Sequence, residues 1–296
     1  MRAMRTAGPV CGPAPLCFGA GVAKPHSVDL RNRYTLITGA SSGLGREMAR
    51  LIAKRHGGNL VIAARRKDRL DELTRELRDE TGVDVVPIDV DLCDPDRVRS
   101  LFERATAGRT IDAVVLNAGV TYFGHAIEQS WQVLQSMIAT NVTSVAQLAT
   151  LFGKHFIDNQ QKAHILIVSS MASLSPMPYQ ALYGGTKAFL TNYGQALRYE
   201  LAPHGIKVGL FLPGGIVTEM TELSGIGRIH GSGDPGMMEA NVCARYAVDA
   251  LRKGTAVAIP GAGNNFMAVA MRAFPRALVV PVVARLYRAG VATTVR

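Results

Sequence analysis

Acidic residues are missing from both ends of the 296-residue chain: none occurs in residues 1–28, and none from Ala250 to Arg296. Three basic residues stand in the first stretch and seven in the last, so the two ends carry the whole formal net charge of +10. Between Asp29 and Asp249, 23 basic residues are matched by 23 acidic ones. A nucleic-acid partner requires clustered, uncompensated cations, and the neutral body argues against one. Cysteine is scarce too. The four (Cys11, Cys17, Cys93 and Cys243) lack metal-ligand spacing, which excludes a disulfide framework and points to a reducing, cytoplasmic compartment. The seven histidines form no short-spaced pair, so no metal is expected. With 19% charged and 48% apolar residues, the chain is too apolar for disorder.

Long apolar runs are also absent. Near the C-terminus, FMAVAMRAFPRALVVPVVARLYRAG is interrupted by Arg272, Arg276, Arg285 and Arg288, so nothing approaches the roughly 18 uninterrupted apolar residues of a membrane span. The pattern predicts two short amphipathic helices divided near Pro275. Four placements are open to them: packing on the body, covering a substrate entrance, pairing with another subunit, or lying on an anionic membrane surface through residues 264–296. At the other end, Pro and Gly repeatedly break the run VCGPAPLCFGAGVA, as they would break a signal helix. A flexible leader over residues 1–32 is expected, with an export or transit signal as the alternative.

Seven short runs rich in Val, Ile and Leu (YTLITG, NLVIAA, VDVVPI, DAVVLN, HILIVS, KVGLFL and TAVAIP) alternate with segments of helical period. Six of the seven are mostly apolar throughout, as expected where helices cover both faces of a parallel sheet. The helices are expected at Leu44–Lys54, Arg66–Glu80, Pro95–Ala107, about Glu128–Asp158, Tyr179–Leu201 and Met238–Arg252. The predicted fold is α/β: a single-domain Rossmann fold whose seven-stranded, doubly wound parallel sheet is followed by C-terminal amphipathic helices.

TGASSGLG, Thr38–Gly45, joins the first strand to the first helix. Its glycines let backbone approach a phosphate, and the free N–H groups of the helix start favour negative charge. At the end of the second strand, where an NAD site carries an acid, stand Arg65 and Arg66. Guanidinium groups suit a 2′-phosphate, so NADP(H) is the expected cofactor. Tyr183 and Lys187 lie four residues apart on one helical face, a pairing suited to proton transfer at a carbonyl, since a nearby cation favours the phenolate. Tyr179 has no lysine at that spacing.

The T-G-x-x-x-G-x-G spacing, with YGGTK behind it, resembles the short-chain dehydrogenase/reductase family from about Tyr34 to Pro260. The resemblance implies cofactor contacts from Gly39, Ser41, Ser42, Gly43, Leu44 and Gly45. It extends them to the pair Asp91 and Leu92, to the turn Asn117, Ala118 and Gly119, and to Pro213, Gly214, Val217 and Thr218. Leu116 departs from the family's NNAG. Ser170, thirteen residues before Tyr183, would hold and polarise the substrate oxygen. Tyr183 would be the general acid/base, Lys187 would lower its pKa and bond the nicotinamide ribose, and Asn141 would fix a water in a proton relay. Hydride transfer belongs to the cofactor.

The segments SSMASLSPMPYQALYGGTKAF and ALRYELAPHGIKV look most like reductases of steroid or long-chain 3-oxoacyl substrates. The resulting expectation is an NADP-binding body over residues 33–262 and a basic extension over 263–296. It would interconvert a ketone and a secondary alcohol on a small apolar substrate, as a homodimer or homotetramer through the helices holding Asn141 and Tyr183. The Gly-rich stretch to about Met238, with Met220, Leu223, Ile226 and Met237, suggests a mobile lid. The alternative is a non-catalytic NADP-binding regulatory or interaction subunit, which would need no proton donor.

Overall fold

All seven predicted strands pair in one parallel sheet of the computed structural model, which describes residues 27–224 and 237–291. In chain order they are β1 (Tyr34–Thr38), β2 (Asn59–Ala64), β3 (Val85–Asp89), β4 (Ile111–Leu116), β5 (His164–Val168) and β6 (Lys207–Phe211), closed by the two-residue β9 (Val257–Ala258). Their spatial order is β3-β2-β1-β4-β5-β6-β9. The chain winds outward from β1 to β3 and then returns to β4 on the other side. The reversal opens a crevice at the strand ends between β1 and β4, the place where such sheets bind ligands.

The continuous apolar strands follow from this arrangement. Leu60, Ile62 and Ala64 of β2 point into a core shared with α1 (Gly43–His56), α2 (Lys67–Thr81) and α8 (Ala240–Lys253). Val61 and Ala63 point the other way, toward α3 (Pro95–Thr106), α5 (Ser144–Asp158) and α6 (Ala181–Leu201). The five inner strands therefore bury both faces, while the edge strands β3 and β9 are only partly covered. Local chemistry sets the helix starts: Asp94 accepts from the N–H groups of Asp96 and Arg97 (2.9 and 3.4 Å), with Pro95 as first helical residue. Of the expected leader, residues 1–26 lie outside the described residues. Residues 27–32 fold onto the body, with Leu30 fully buried and the Val28 N–H bonded to the Arg252 carbonyl at 2.7 Å.

Two elements differ from expectation. The long helix from Glu128 to Asp158 is divided into a 3-10 turn at Ala126–Glu128, α4 (Trp131–Ile138), a π-helical turn at Ala139–Thr143 and α5. Here the fully buried Asn141 is tied to the Val120 backbone, and the Ser144 hydroxyl donates to the Thr140 carbonyl at 2.7 Å. Such a slip in the ladder is frequent at functional sites. The other is a two-stranded parallel ribbon, β7 (Gly215–Val217) with β8 (Met237–Glu239), which flanks the short α7 (Glu219–Leu223). Part of the expected lid, residues 225–236, lies outside the described residues. The C-terminal helices divide as predicted, into α9 (Ala262–Ala273) and α10 (Arg276–Val291). No helix among the described residues is long and apolar enough to cross a membrane.

Candidate active site

A cleft of about 1000 Å³ opens over the C-terminal ends of the strands. Its floor is the turn between β1 and α1. Gly39 and Gly43 hold left-handed backbone at φ +70° and +52°, and a Cβ on either would stand 2.9 Å from the Ala118 Cα or 3.0 Å from the Thr218 Cγ2. Only glycine admits both the turn and its neighbours. Ser42, at the start of α1, makes no capping bond, and no acid stands in the first helical turn. The helix thus offers uncapped N–H groups and its positive dipole end to the cleft, which fits a pyrophosphate.

The turn after β4 is stapled to this floor. Asn117 Nδ2 donates to the Thr38 carbonyl at 2.9 Å, and the backbone N–H groups of Asn117 and Ala118 both donate to Thr38 Oγ1 at 3.0 Å. Leu116, the departure from the family's turn, is buried in the core instead. Asp91 and Leu92 line the cleft; Asp91 also closes its own turn by accepting from the Cys93 N–H at 3.0 Å.

The two arginines expected at a 2′-phosphate have unequal surroundings. Arg66 is committed: Nη2 donates to Ser42 Oγ at 2.7 Å and Ser41 Oγ at 3.2 Å, while Nη1 pairs with Glu219 at 2.9 Å. Arg69 also pairs with Glu219, at 2.6 Å, and the two cations hold that carboxyl below its ordinary pKa. Arg65 is exposed, lines the cleft and has no such partner among the described residues.

Catalytic candidates converge on the opposite wall. Tyr183 and Lys187 project from α6 into the cleft, with Lys187 Nζ 5.8 Å from the Tyr183 ring centre. Lys187 is 4% exposed, and its Nζ donates to the Val168 carbonyl at 2.9 Å; burial pushes its pKa down to about 8. Burial pushes the Tyr183 phenol upward, and its hydrogen bond with Ser170 pulls it back. Ser170 starts a single 3-10 turn at the end of β5, accepting from the Ala172 N–H at 3.1 Å. Its neighbour Ser169 also lines the cleft, and its hydroxyl bonds the Lys187 carbonyl and Thr191.

Asn141 does not line the cleft. Its Oδ1 accepts from the Val120 N–H at 2.8 Å, and its Nδ2 donates to the Val120 carbonyl and to Thr186 Oγ1 (2.9 and 3.1 Å). It fixes the loop after β4 against α6. Gly119 brings both groups close, since a Cβ there would stand 3.3 Å from Asn141 Oδ1 and 3.4 Å from Lys187 Nζ.

Pro213, Gly214 and Thr218 line the cleft as expected, and Thr218 caps α7 reciprocally with Thr221. Val217 and Gly45 stand behind the lining rather than in it; Ile216 takes the wall position beside Val217. Sequence reasoning missed the rest of the wall. Met177 and Gln180 precede α6, and Met267, Met271, Val283, Leu286 and Tyr287 come from α9 and α10. Only the amphipathic period of those helices pointed to them. Of the four placements open to the helices, the structure places their inner face over the cleft. Tyr179, the tyrosine without a lysine, lies outside it, its ring 5.2 Å from that of His125.

A doubly wound sheet with a phosphate-type glycine turn, facing a Ser–Tyr–Lys group in one cleft, defines a nicotinamide-dependent oxidoreductase. A family model described as short chain dehydrogenase matches residues 33–226, and the chain belongs to that family. It is similar to the very-long-chain 3-oxoacyl-CoA reductase of Podospora anserina, 30% identical over 65% of this chain and 57% of that one. The 17-beta-hydroxysteroid dehydrogenase type 3 of Homo sapiens is 31% identical over 64% and 61%. The chain therefore spans about three fifths of the length of these two relatives. Among solved structures, a short-chain dehydrogenase from Sphingobium yanoikuyae in complex with NADPH superposes with a TM-score of 0.74, at 31% identity over 83% of this chain and 94% of that one.

Proposed function

We propose that the protein is an NADP(H)-dependent reductase that interconverts a ketone and a secondary alcohol on an apolar, steroid-like or 3-oxoacyl-like substrate. The observation that carries this reading is the convergence of Tyr183, Ser170 and Lys187 on a cleft that Met177, Met267, Met271, Val283 and Leu286 also line, with the polar Gln180 and Asn264 among them. The glycine turn and the uncapped start of α1 would hold the pyrophosphate. Arg65 would meet the 2′-phosphate while Arg66 steadies Ser41 and Ser42. When bound, the nicotinamide supplies the hydride. Ser170 would hold the carbonyl oxygen and Tyr183 would deliver the proton to it. Lys187 supports that transfer by holding positive charge beside the phenol, and Asn141 positions the loop next to both. The two relatives' names support the substrate class, and their extra length leaves it a proposal for this chain. A homodimer or homotetramer through α4, α5 and α6 is proposed with it, with Ile138 and Phe189 among the exposed apolar side chains of these helices.

Absorbance of NADPH during incubation with a panel of bulky ketones tests the reading: consumption is expected with bulky apolar ketones. No consumption with any of them overturns it. Arg65→Ala should raise the KM for NADPH about 10- to 100-fold, the worth of one charge-assisted contact of roughly 1.5–3 kcal/mol. The KM for NADH should barely move, and equal weakening of both cofactors would remove the phosphate contact.

The pH profile gives a second test. Lys187 is protonated below its lowered pKa of about 8 and loses its charge as pH rises through that value. Reduction depends on that charge, so log kcat/KM, which reports the free enzyme, should bend downward near pH 8. Lys187→Arg keeps the charge and should move the bend upward. A profile level to pH 10 would count against the role of Lys187.

A further inference from the structure

Helices α9 and α10 have two faces of different use. Inward, Met271, Val283 and Tyr287 line the cleft, Val291 is buried beside Phe123, and Arg288 Nε donates to Tyr179 Oη at 3.3 Å. Outward, Phe266, Val269, Phe274, Leu278 and Val282 are each between 59% and 76% exposed, and Leu286, which also lines the cleft, is 61% exposed. They belong to a group of seven among the sixteen exposed large apolar side chains of the described residues, gathered in the last two helices and the link between them. Leu278, Val282 and Leu286 repeat every four residues and form one stripe. Arg272, Arg276 and Arg285 stand exposed around them, with no ion-pair partner among the described residues. No acid occurs anywhere from Ala250 onward.

We propose that this outer face docks on an anionic lipid bilayer, with the apolar stripe among the upper acyl chains and the arginines among the headgroup phosphates. The charge pattern selects this occupant. In a twofold pairing of the same face, arginines would meet arginines with no acid on the arm to separate them, whereas an anionic surface complements all of them. With 12 and 16 residues, one arginine in the first and three in the second, the helices suit an interfacial position and not a span. The arrangement also has a chemical use. The helices that touch the lipid are the same ones that wall the cleft, so an apolar ketone dissolved in the bilayer would reach Tyr183 without crossing bulk water. This delivery rests on the reading of the cleft given above; the docking does not.

Flotation of the full chain with vesicles tests it. Phosphatidylglycerol in phosphatidylcholine should retain about tenfold more protein than phosphatidylcholine alone, and high salt should abolish the difference. The triple variant Phe266→Ser, Leu278→Ser, Val282→Ser and the triple variant Arg272→Glu, Arg276→Glu, Arg285→Glu should each lose most of the binding, with melting temperature and NADPH affinity unchanged. None of these six side chains lines the cleft. Wild-type protein that does not float on anionic vesicles overturns the proposal, as does binding unaffected in both variants. A dimer that the apolar triple variant dissociates, in a protein that ignores vesicles, would assign the face to a second copy. Protein that floats but reduces no ketone would overturn the catalytic reading and leave the docking standing.

Discussion

Replacing Tyr183 by Phe is expected to lower kcat for ketone reduction by about 10²- to 10⁴-fold, the usual contribution of a positioned general acid. The substitution removes one oxygen and keeps the ring, which is half-buried in the α6 wall of the cleft. Neither neighbour depends on that oxygen for its place. Lys187 is anchored by the Val168 carbonyl, and Ser170 by the Ala172 N–H and, at 3.5 Å, the Pro213 carbonyl. NADPH affinity should consequently change by less than about tenfold, and the loss should fall on kcat, as it does when an interaction made in the transition state is removed. Tyr179→Phe is the matched control. Its hydroxyl accepts from Arg288 outside the cleft, and its loss should alter turnover by less than about twofold. Steady-state rates for both variants, with NADPH binding followed by fluorescence, decide the matter. Turnover within a few-fold of wild type in Tyr183→Phe would remove the tyrosine from the chemistry.

The sheet was legible because burial on both faces writes itself into the sequence: Leu60 through Ala64 alternate between two helical layers, and all must be apolar. Tyr183, Lys187 and Ser170 were legible for a related reason, since helical spacing and the end of an apolar strand set their places. What stayed hidden depends on contacts between distant segments. Nothing in the helical period of ATNVT marks a π-turn; the bonds that accompany it link the Asn141 side chain with the Val120 backbone, which donates to Oδ1 and accepts from Nδ2. Arg65 and Arg66 are equivalent in sequence. They part only because Glu219, 153 positions from Arg66, lies within reach of Arg66 and leaves Arg65 open. The pairing of β7 with β8 involves three residues on each strand, too few to carry a periodic signal. Amphipathic period likewise gave α9 and α10 and the break between them, without saying which of four neighbours their inner face would meet.

Gly45→Ala should be the most damaging single methyl group that can be added to the cofactor floor. Gly45 is the third glycine of the motif and does not line the cleft, so its constraint is steric. A Cβ there would collide with the Gly39 carbonyl oxygen and stand 2.7 Å from Asn117 Nδ2. Neither can retreat cheaply. The Gly39 N–H is bonded to the Ala63 carbonyl at 2.7 Å, and Asn117 Nδ2 to the Thr38 carbonyl at 2.9 Å, so the strand ends of β1, β2 and β4 are held through the same few atoms. Relief requires α1 to lift from the sheet, at a cost of about 1–3 kcal/mol or more for overpacking. For a chain of this size that corresponds to a fall in Tm of roughly 2–4 °C per kcal/mol. The same displacement withdraws the uncapped N–H groups of α1 from the pyrophosphate, so the Kd for NADPH should rise at least about tenfold. Gly185→Ala supplies the opposite sign. It is an exposed helical glycine in α6 whose added Cβ would meet nothing within 4 Å, and it should gain about 0.5–1 kcal/mol from helix propensity. Thermal unfolding and NADPH titration of the two variants separate steric constraint from glycine content. A Gly45→Ala protein as stable and as tight-binding as wild type would mean that the helix start is not pressed against the turn as these distances require.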